Sequence, residues 1–201
     1  MKNIAILVLA AGKSSRMNTI KQLEKIDSKT LLEVTLDKVK PISSDNIFCV
    51  LGANADKIKR AISIENVTFI LNKNYEIGLS SSIISGINYF KKKQLNFNGV
   101  FILLADQPAV EINYLKSMLI LFQKNDGKII ASNYGKKLGV PVIFPEKYFK
   151  DLLLIKGDKG AKKFINDRKD ETICSELQTN LIDIDTKEDL LLYKNTILTK
   201  N

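Results

Sequence analysis

The sequence predicts an α/β protein, a three-layer α/β/α sandwich around a mostly parallel sheet, and three observations carry that prediction. Apolar runs of strand length alternate along the chain with segments of helical pattern, as in a parallel sheet covered on both faces. The leading run, residues 4–9, is Ile-Ala-Ile-Leu-Val-Leu without a polar residue, which suits a strand buried on both sides. The chain has 201 residues, 45% of them hydrophobic and 26% charged, enough for one well-buried domain and too few for two, so residues 1–201 read as a single domain. No internal repeat, low-complexity stretch or Pro/Gly-rich linker divides it.

Each element follows in chain order. The first strand, 3–9, runs directly into the small-residue turn Ala10-Ala11-Gly12, with the cations Arg16 and Lys21 beyond it. A helix at 30–40 leads to a strand at 46–51, and a helix at 55–64 to a strand at 67–71. The serine-rich loop after Leu71 opens a helix at 80–93, whose end carries Lys91, Lys92 and Lys93, where cations suit the helix dipole. A strand at 99–105 delivers Asp106 and stops at Pro108. A helix at 112–124, strands at 128–131 and 140–144, helices at 147–153 and 161–166, and a strand at 172–175 come next. Alternation around Ile182 and Ile184 reads as a strand at 180–184, after which Asp185-Thr186 caps a last helix at 187–194. The loops after Leu9, Leu71 and Leu104 leave the carboxyl ends of strands read as central, and in such sheets ligands sit there, where the strand order reverses.

Composition removes several function classes. Lys and Arg total 31 against 22 Asp and Glu, a formal net charge of +9, but the lysines are scattered. No zinc-finger spacing, aromatic RNA-binding signature or basic tail accompanies them, so the charge points to a polyphosphate ligand and away from nucleic acid. Histidine is absent and only Cys49 and Cys174 are present, which excludes structural zinc and Ser/His or Cys/His catalysis. The two cysteines read as buried thiols of a reducing, cytoplasmic setting. A metal here needs oxygen ligands, and that chemistry suits Mg2+. The apolar stretch 4–11 is too short for a leader and nothing else approaches a membrane span.

Three segments carry the chemistry. The junction after the first strand gathers bare backbone N–H groups with Arg16 and Lys21, an arrangement that grips phosphates. It is neither a P-loop, because Leu7 stands where the first glycine belongs, nor a G-x-G-x-x-G turn, because Gly12 is its only glycine. Asp106 is a rigidly placed carboxylate, suited to a metal bound by one or two carboxylates plus ligand phosphates, or simply a strand-ending residue or cap. Asp185, a second carboxylate, could complete that metal site or serve only as a cap. The run Ser80-Ser81-Ser82 sets hydroxyls at a helix N-terminus, suited to a base edge or ribose, or to capping alone.

Taken together these stretches resemble the MobA-like nucleotidyltransferase family, and within it the molybdenum cofactor cytidylyltransferases. The matching elements are LAAGKSSRM from Leu9 with Lys21-Gln22-Leu23, GLSSSIISGI from Gly78, LLADQP from Leu103, GVPVIF from Gly139, KGDKGA from Lys156 and DIDTKEDL from Asp183, in the family's order over nearly the whole chain. The resemblance implies a Rossmann-like, nucleotide-diphospho-sugar transferase-like fold. It implies transfer of CMP from CTP to the terminal phosphate of molybdopterin with release of pyrophosphate, a Mg2+ cofactor, and transient contact with a molybdoenzyme that receives the product. Leu9, Ala10, Ala11 and Gly12 would line the nucleotide, with Gly78, Ser80, Ser81 and Ser82 at its base or ribose. Arg16, Lys21 and Asp106 would be catalytic, Asp106 and Asp185 would hold the metal, and Gly139, Pro141, Gly157, Asp158 and Gly160 would border the acceptor.

In the family, an alanine at the place of Ala11 goes with cytidine nucleotides, whereas glycine goes with guanosine. The chain departs from the family at Asn18, usually Gly, at Thr30, usually Pro, and at Val140, usually His. An aliphatic side chain donates no hydrogen bond to an acceptor, so GTP in place of CTP, a sugar or isoprenoid phosphate as acceptor, and a non-catalytic cofactor-binding chaperone remain as alternatives.

Overall fold

The computed structural model describes residues 2–43 and 45–198; residues 1, 44 and 199–201 of the 1–201 span lie outside the described residues. Its strands are β1 (Ile4–Ala10), β2 (Lys25–Ile26), β3 (Lys29–Thr30), β4 (Ile47–Leu51), β5 (Val67–Leu71), β6 (Gly99–Leu104), β7 (Ile129–Asn133), β8 (Leu138–Pro145) and β9 (Thr172–Cys174). Its helices are α1 (Leu31–Val39), α2 (Ala55–Ala61), α3 (Leu79–Lys92), α4 (Ile112–Lys124), α5 (Phe149–Leu152), α6 (Gly160–Asn166) and α7 (Lys187–Leu198).

Among the described residues the main sheet has the order β5-β4-β1-β6-β8-β7-β9. Neighbours from β5 to β6 pair in parallel, β8 alone runs antiparallel to both its neighbours, and β9 returns parallel to β7. The mostly parallel sandwich read from the sequence is the observed fold. β1 pairs with β4 on one side and β6 on the other, so the chain order reverses there and a crevice opens at the carboxyl ends of β1 and β6.

Two apolar layers explain why β1 lacks polar residues. Ile4, Ile6, Val8 and Ala10 pack on α1, α2 and α4 through Leu36, Ile58, Tyr114 and Met118, whereas Ala5, Leu7 and Leu9 pack on α3 and α6 through Ile83, Ile87, Phe90 and Phe164. Strand residues point alternately to the two faces, and both faces are covered. Ile6, Leu7 and Val8 are buried almost completely, and each such side chain contributes roughly 1.5–3 kcal/mol of burial free energy. A third, smaller cluster of Met17, Ile26, Leu31, Ile184 and Leu190 ties the first motif and the β2–β3 hairpin to the chain's last segment.

Several sequence readings are corrected. Residues 180–184 form no strand: Ile182 N–H is taken by the side chain of Asn180, and the one backbone link to the sheet region runs from Ile184 N–H to the Asp106 carbonyl, 2.8 Å. β5 is an edge strand, not a central one, and Leu71 is half exposed. The helix read at 55–64 stops at Ala61, since Ile62 turns extended (φ −108°, ψ 140°) and Ser63 N–H goes to Glu33. The helix read at 147–153 is a 3-10 turn, Glu146–Tyr148, followed by the four-residue α5, and α7 runs beyond 194. The β2–β3 hairpin was not foreseen; it turns at Asp27, held at φ 53°.

Two departures from the family pattern have a local physical reason. Asn18 sits at φ 55°, a left-handed conformation that glycine adopts freely and asparagine tolerates better than other residues. Thr30 caps α1: its hydroxyl accepts from Glu33 N–H at 3.2 Å and the Glu33 carboxylate accepts from Thr30 N–H at 2.7 Å, a reciprocal capping box. Thr30→Ala is therefore expected to destabilise the protein by about 1 kcal/mol, read as a lower denaturant midpoint with an unchanged slope.

Candidate active site

A cleft of about 510 Å³ opens at the carboxyl ends of β1 and β6, with an adjoining recess of about 210 Å³ beneath the start of α3. Its floor is the turn after β1. Gly52 comes so close to this turn that a Cβ there would meet the Ala11 carbonyl and the Tyr75 side chain, so only glycine lets the β4 end pass. The turn's carbonyls and N–H groups are used differently. Gln22, buried at 4% exposure, donates its side-chain N–H groups to the carbonyls of Ala10 (2.9 Å) and Gly12 (3.1 Å). Among the described residues, no acceptor meets the backbone N–H of Gly12, Lys13 or Ser15. Carbonyls tied by a side chain and donors left free are the elements of an anion nest.

The acids are held by backbone. Ala105 N–H continues the sheet to the Leu9 carbonyl, 3.0 Å, and Thr35 donates its hydroxyl to the Ala105 carbonyl at 3.0 Å. Lys38 from α1 donates to the carbonyls of Pro108 and Val110, and Tyr193 from α7 donates to that of Pro108. The Ile184 to Asp106 backbone bond then fixes Asp185 beside Asp106. Thr186, paired reciprocally with Asp189, caps α7, so Asp185 keeps its carboxylate for the site.

Lys21 closes the constellation. Its ammonium lies 2.7 Å from the Asp106 carboxylate and 3.0 Å from that of Asp185, and Arg16 reaches the other Asp185 oxygen at 2.6 Å. Burial opposes the charge on Lys21, but the two carboxylates outweigh it and hold the ammonium above the usual lysine range. Four ionic groups from three separate stretches of the chain therefore meet at one point. Among the described residues no group of three or more His, Cys, Asp or Glu forms a metal cage. Two facing carboxylates without a cage fit a hard cation that completes its shell with ligand phosphates and water.

The remaining sequence-stated residues divide. Leu9, Ala10, Ala11, Gly12, Arg16, Lys21, Gly78, Ser82 and Asp106 line the cleft or its recess. Ser80 and Ser81 do not: both are buried, Ser81 and Ser82 accept hydrogen bonds from Asn72, and Ser80 and Ser81 line a separate cavity on the other side of α3. Helical rotation of 100° per residue sends consecutive serines to different faces, so three could not all reach one ligand. Of the acceptor residues, only Asp158 opens on the cleft, where its carboxylate accepts from Leu79 N–H at 3.0 Å. Gly78, at φ 110°, leaves room for that contact, because a Cβ there would strike Asp158.

Gly139 lies in β8 against the Tyr134 ring, Pro141 borders a small cavity beside Gln107, the Gly157 carbonyl accepts from Ser80 N–H at 3.3 Å, and Gly160 lies against Ile155 and Ser80. None of these four lines the cleft.

Lys13, Tyr75 and Glu76 line the cleft without having been singled out. Lys13 spans its mouth to Glu76 at 2.5 Å and lies over the Tyr75 ring. Both charges are exposed, so the pair adds little stability. An aromatic residue and a charge in the loop after β5 were the available signal.

A family model described as MobA-like NTP transferase domain matches residues 6–172. The bifunctional protein GlmU of Francisella philomiragia subsp. philomiragia is 28% identical over 172 residues, 85% of this chain, and the chain spans about a third (34%) of that relative's length. A homologue, from Mycobacterium sp. strain JC1, of Mycobacterium tuberculosis Rv0371c has a TM-score of 0.83 at 24% identity, with 98% of each chain covered. Rv0371c of Mycobacterium tuberculosis H37Rv in complex with manganese has a TM-score of 0.77 at 22% identity, covering 96% of this chain and 98% of that one. At these identities the solved structures establish a common fold. No helix among the described residues is long and apolar enough to cross a membrane.

Proposed function

The chain belongs to the MobA-like NTP transferase family, and on that premise we propose that it transfers CMP from CTP to the terminal phosphate of molybdopterin, releasing pyrophosphate. The observation that carries the reading is the shared contact of Lys21 with Asp106 and Asp185 at the foot of the anion nest. Leu9, Ala10, Ala11 and Gly12 bear the nucleotide, Asp106 and Asp185 hold Mg2+, and one domain carries the whole reaction. Held by these carboxylates, the metal would supply neutralisation of phosphate charge. The manganese complex of Rv0371c supports a divalent ion of this kind.

An oxygen of the acceptor's phosphate attacks the α-phosphorus, a new P–O bond forms, and the bond to the β-phosphate breaks with its electron pair leaving on pyrophosphate. The nest N–H groups, Lys21 and Arg16 face the charge that accumulates on the leaving phosphates. No side-chain base is needed, since a phosphate monoester is already largely ionised at pH 7. The absence of histidine is consistent with that economy.

The acceptor rests on less. Val140, where the family has His, is buried in β8 and donates nothing. That observation favours, as a second reading, the same chemistry on a sugar phosphate or an isoprenoid phosphate. Pyrophosphate release measured with CTP, GTP and ATP, each with molybdopterin, a hexose phosphate, an isoprenoid-precursor phosphate or no acceptor, decides between them. Release only with CTP and molybdopterin supports the proposal; binding of molybdopterin without release with any nucleotide makes the chain a cofactor carrier.

The pH profile has a stated form. Activity rises as the acceptor phosphate loses its second proton near pH ~6. It then stays level, because a lysine whose folded pKa lies above its ordinary 10.5 keeps its ion pairs in full below that pH and loses them only as pH climbs through the raised value. A fall in rate beginning well below pH 10.5 would take Lys21 out of this role.

A further inference from the structure

Resting on the nucleotidyltransferase reading, we infer that Gln22 is a positioning residue, a buried amide strut that keeps the phosphate-gripping turn formed before the nucleotide arrives. Its amide has two N–H donors and one carbonyl, and every one is engaged within the first motif. The donors hold the Ala10 and Gly12 carbonyls at 2.9 and 3.1 Å, and the amide oxygen accepts from the Ser14 hydroxyl at 3.2 Å. That same hydroxyl accepts from Lys21 N–H at 3.1 Å, so the strut runs from the end of β1 through Ser14 to the backbone of Lys21.

Two further observations show why the turn needs holding. Ser14 sits at φ 58°, a left-handed conformation that costs a non-glycine residue energy and persists only where its surroundings over-determine it. Its surroundings do so: Met17 N–H bonds the Ser14 carbonyl at 3.1 Å, and both hydroxyl links fix its side chain. A backbone carbonyl facing a polyphosphate also repels it. By occupying the carbonyls of Ala10 and Gly12, Gln22 leaves the N–H groups of Gly12, Lys13 and Ser15 for the anion. Without that amide the Ala10 and Gly12 carbonyls lose its N–H groups and the turn is free to rotate them toward the ligand.

The test compares wild type with Gln22→Leu, which keeps bulk and removes all three bonds, and with Ser14→Ala, which removes only the hydroxyl links. In Gln22→Leu the Kd and KM of the nucleotide are expected to rise about tenfold or more, with the acceptor KM unchanged. The Met17 amide, which bonds the Ser14 carbonyl across the turn, exchanges hydrogen faster in the ligand-free variant. Ser14→Ala gives a smaller effect in the same direction and adds nothing to Gln22→Leu in the double variant, because both break one strut.

Unchanged nucleotide affinity and unchanged exchange in Gln22→Leu overturn the inference, as does an equal rise in both KM values, which marks a general loss of structure. If Gln22→Leu does not fold, Ser14→Ala decides by the same readings. Should wild type bind no nucleotide, the functional reading fails, and exchange at the Met17 amide still decides whether Gln22 holds the turn.

Discussion

Asp106→Ala is expected to cut pyrophosphate release by about three orders of magnitude or more, since loss of metal-borne charge neutralisation is worth several kcal/mol and each ~1.4 kcal/mol is a factor of ten. The fold is expected to survive. Among the described residues the Asp106 side chain bonds only Lys21, whereas its backbone is held by Ile184 and its neighbours' carbonyls by Thr35, Lys38 and Tyr193. Circular dichroism and the thermal midpoint should therefore stay near wild type while turnover is lost. Near wild-type turnover in a folded Asp106→Ala protein would refute the metal and catalytic assignment.

Lys21→Met is expected to lower kcat/KM for the nucleotide by about 10²–10³, the range for deleting one preorganised donor at developing charge. Methionine keeps most of the volume and removes the ammonium. Asp106 and Asp185 then face each other with only Arg16 as counter-charge, on the outer oxygen of Asp185. A second measurement separates this defect from the first: with Lys21 gone, Mn2+ titrated without nucleotide meets two carboxylates free of a competing cation and binds more tightly than in wild type. Weaker Mn2+ binding in Lys21→Met, or unaltered pyrophosphate release, would show that the contact serves structure alone.

The legible parts of the site share one property. Arg16 and Lys21 follow β1 directly, Asp106 follows β6, and both strands are apolar runs whose ends cannot slip without burying charge. A residue just past such an end inherits the strand's fixed position, so its place at the carboxyl edge follows from a local pattern. Asp185 was legible for a weaker reason, as a carboxylate beside a cap, and the strand assigned to it does not exist. The short cluster of Met17, Ile26, Leu31, Ile184 and Leu190 brings it in instead, across sequence distances that no local pattern reports.

The serines illustrate the opposite failure. Their run looked like a row of ligand hydroxyls, yet Asn72, standing before the loop, donates to Ser81 and Ser82, and Ser80 and Ser81 line a cavity apart from the cleft, which leaves Ser82 alone on its recess. Gln22 was quoted as part of a motif and given no role, because its value lies in which carbonyls it reaches. Glycines 139, 157 and 160 and Pro141 were assigned from the motifs alone and lie away from the cleft, in β8 and on either side of Asp158 in the chain.

From the order of its residues alone, the chain determines a parallel-rich α/β sheet, a cationic turn at the end of its first strand and a carboxylate at the end of β6. Burial on two faces and the ending of a strand are properties of contiguous segments, so they can be read along the chain. Tertiary structure alone decides that Lys21 touches both Asp106 and Asp185, which serine hydroxyls face inward, and that an amide at position 22 fixes the turn. Those facts depend on short-range forces between groups that the chain holds far apart, and such forces exist only once the sheet has closed and the distances are a few ångströms.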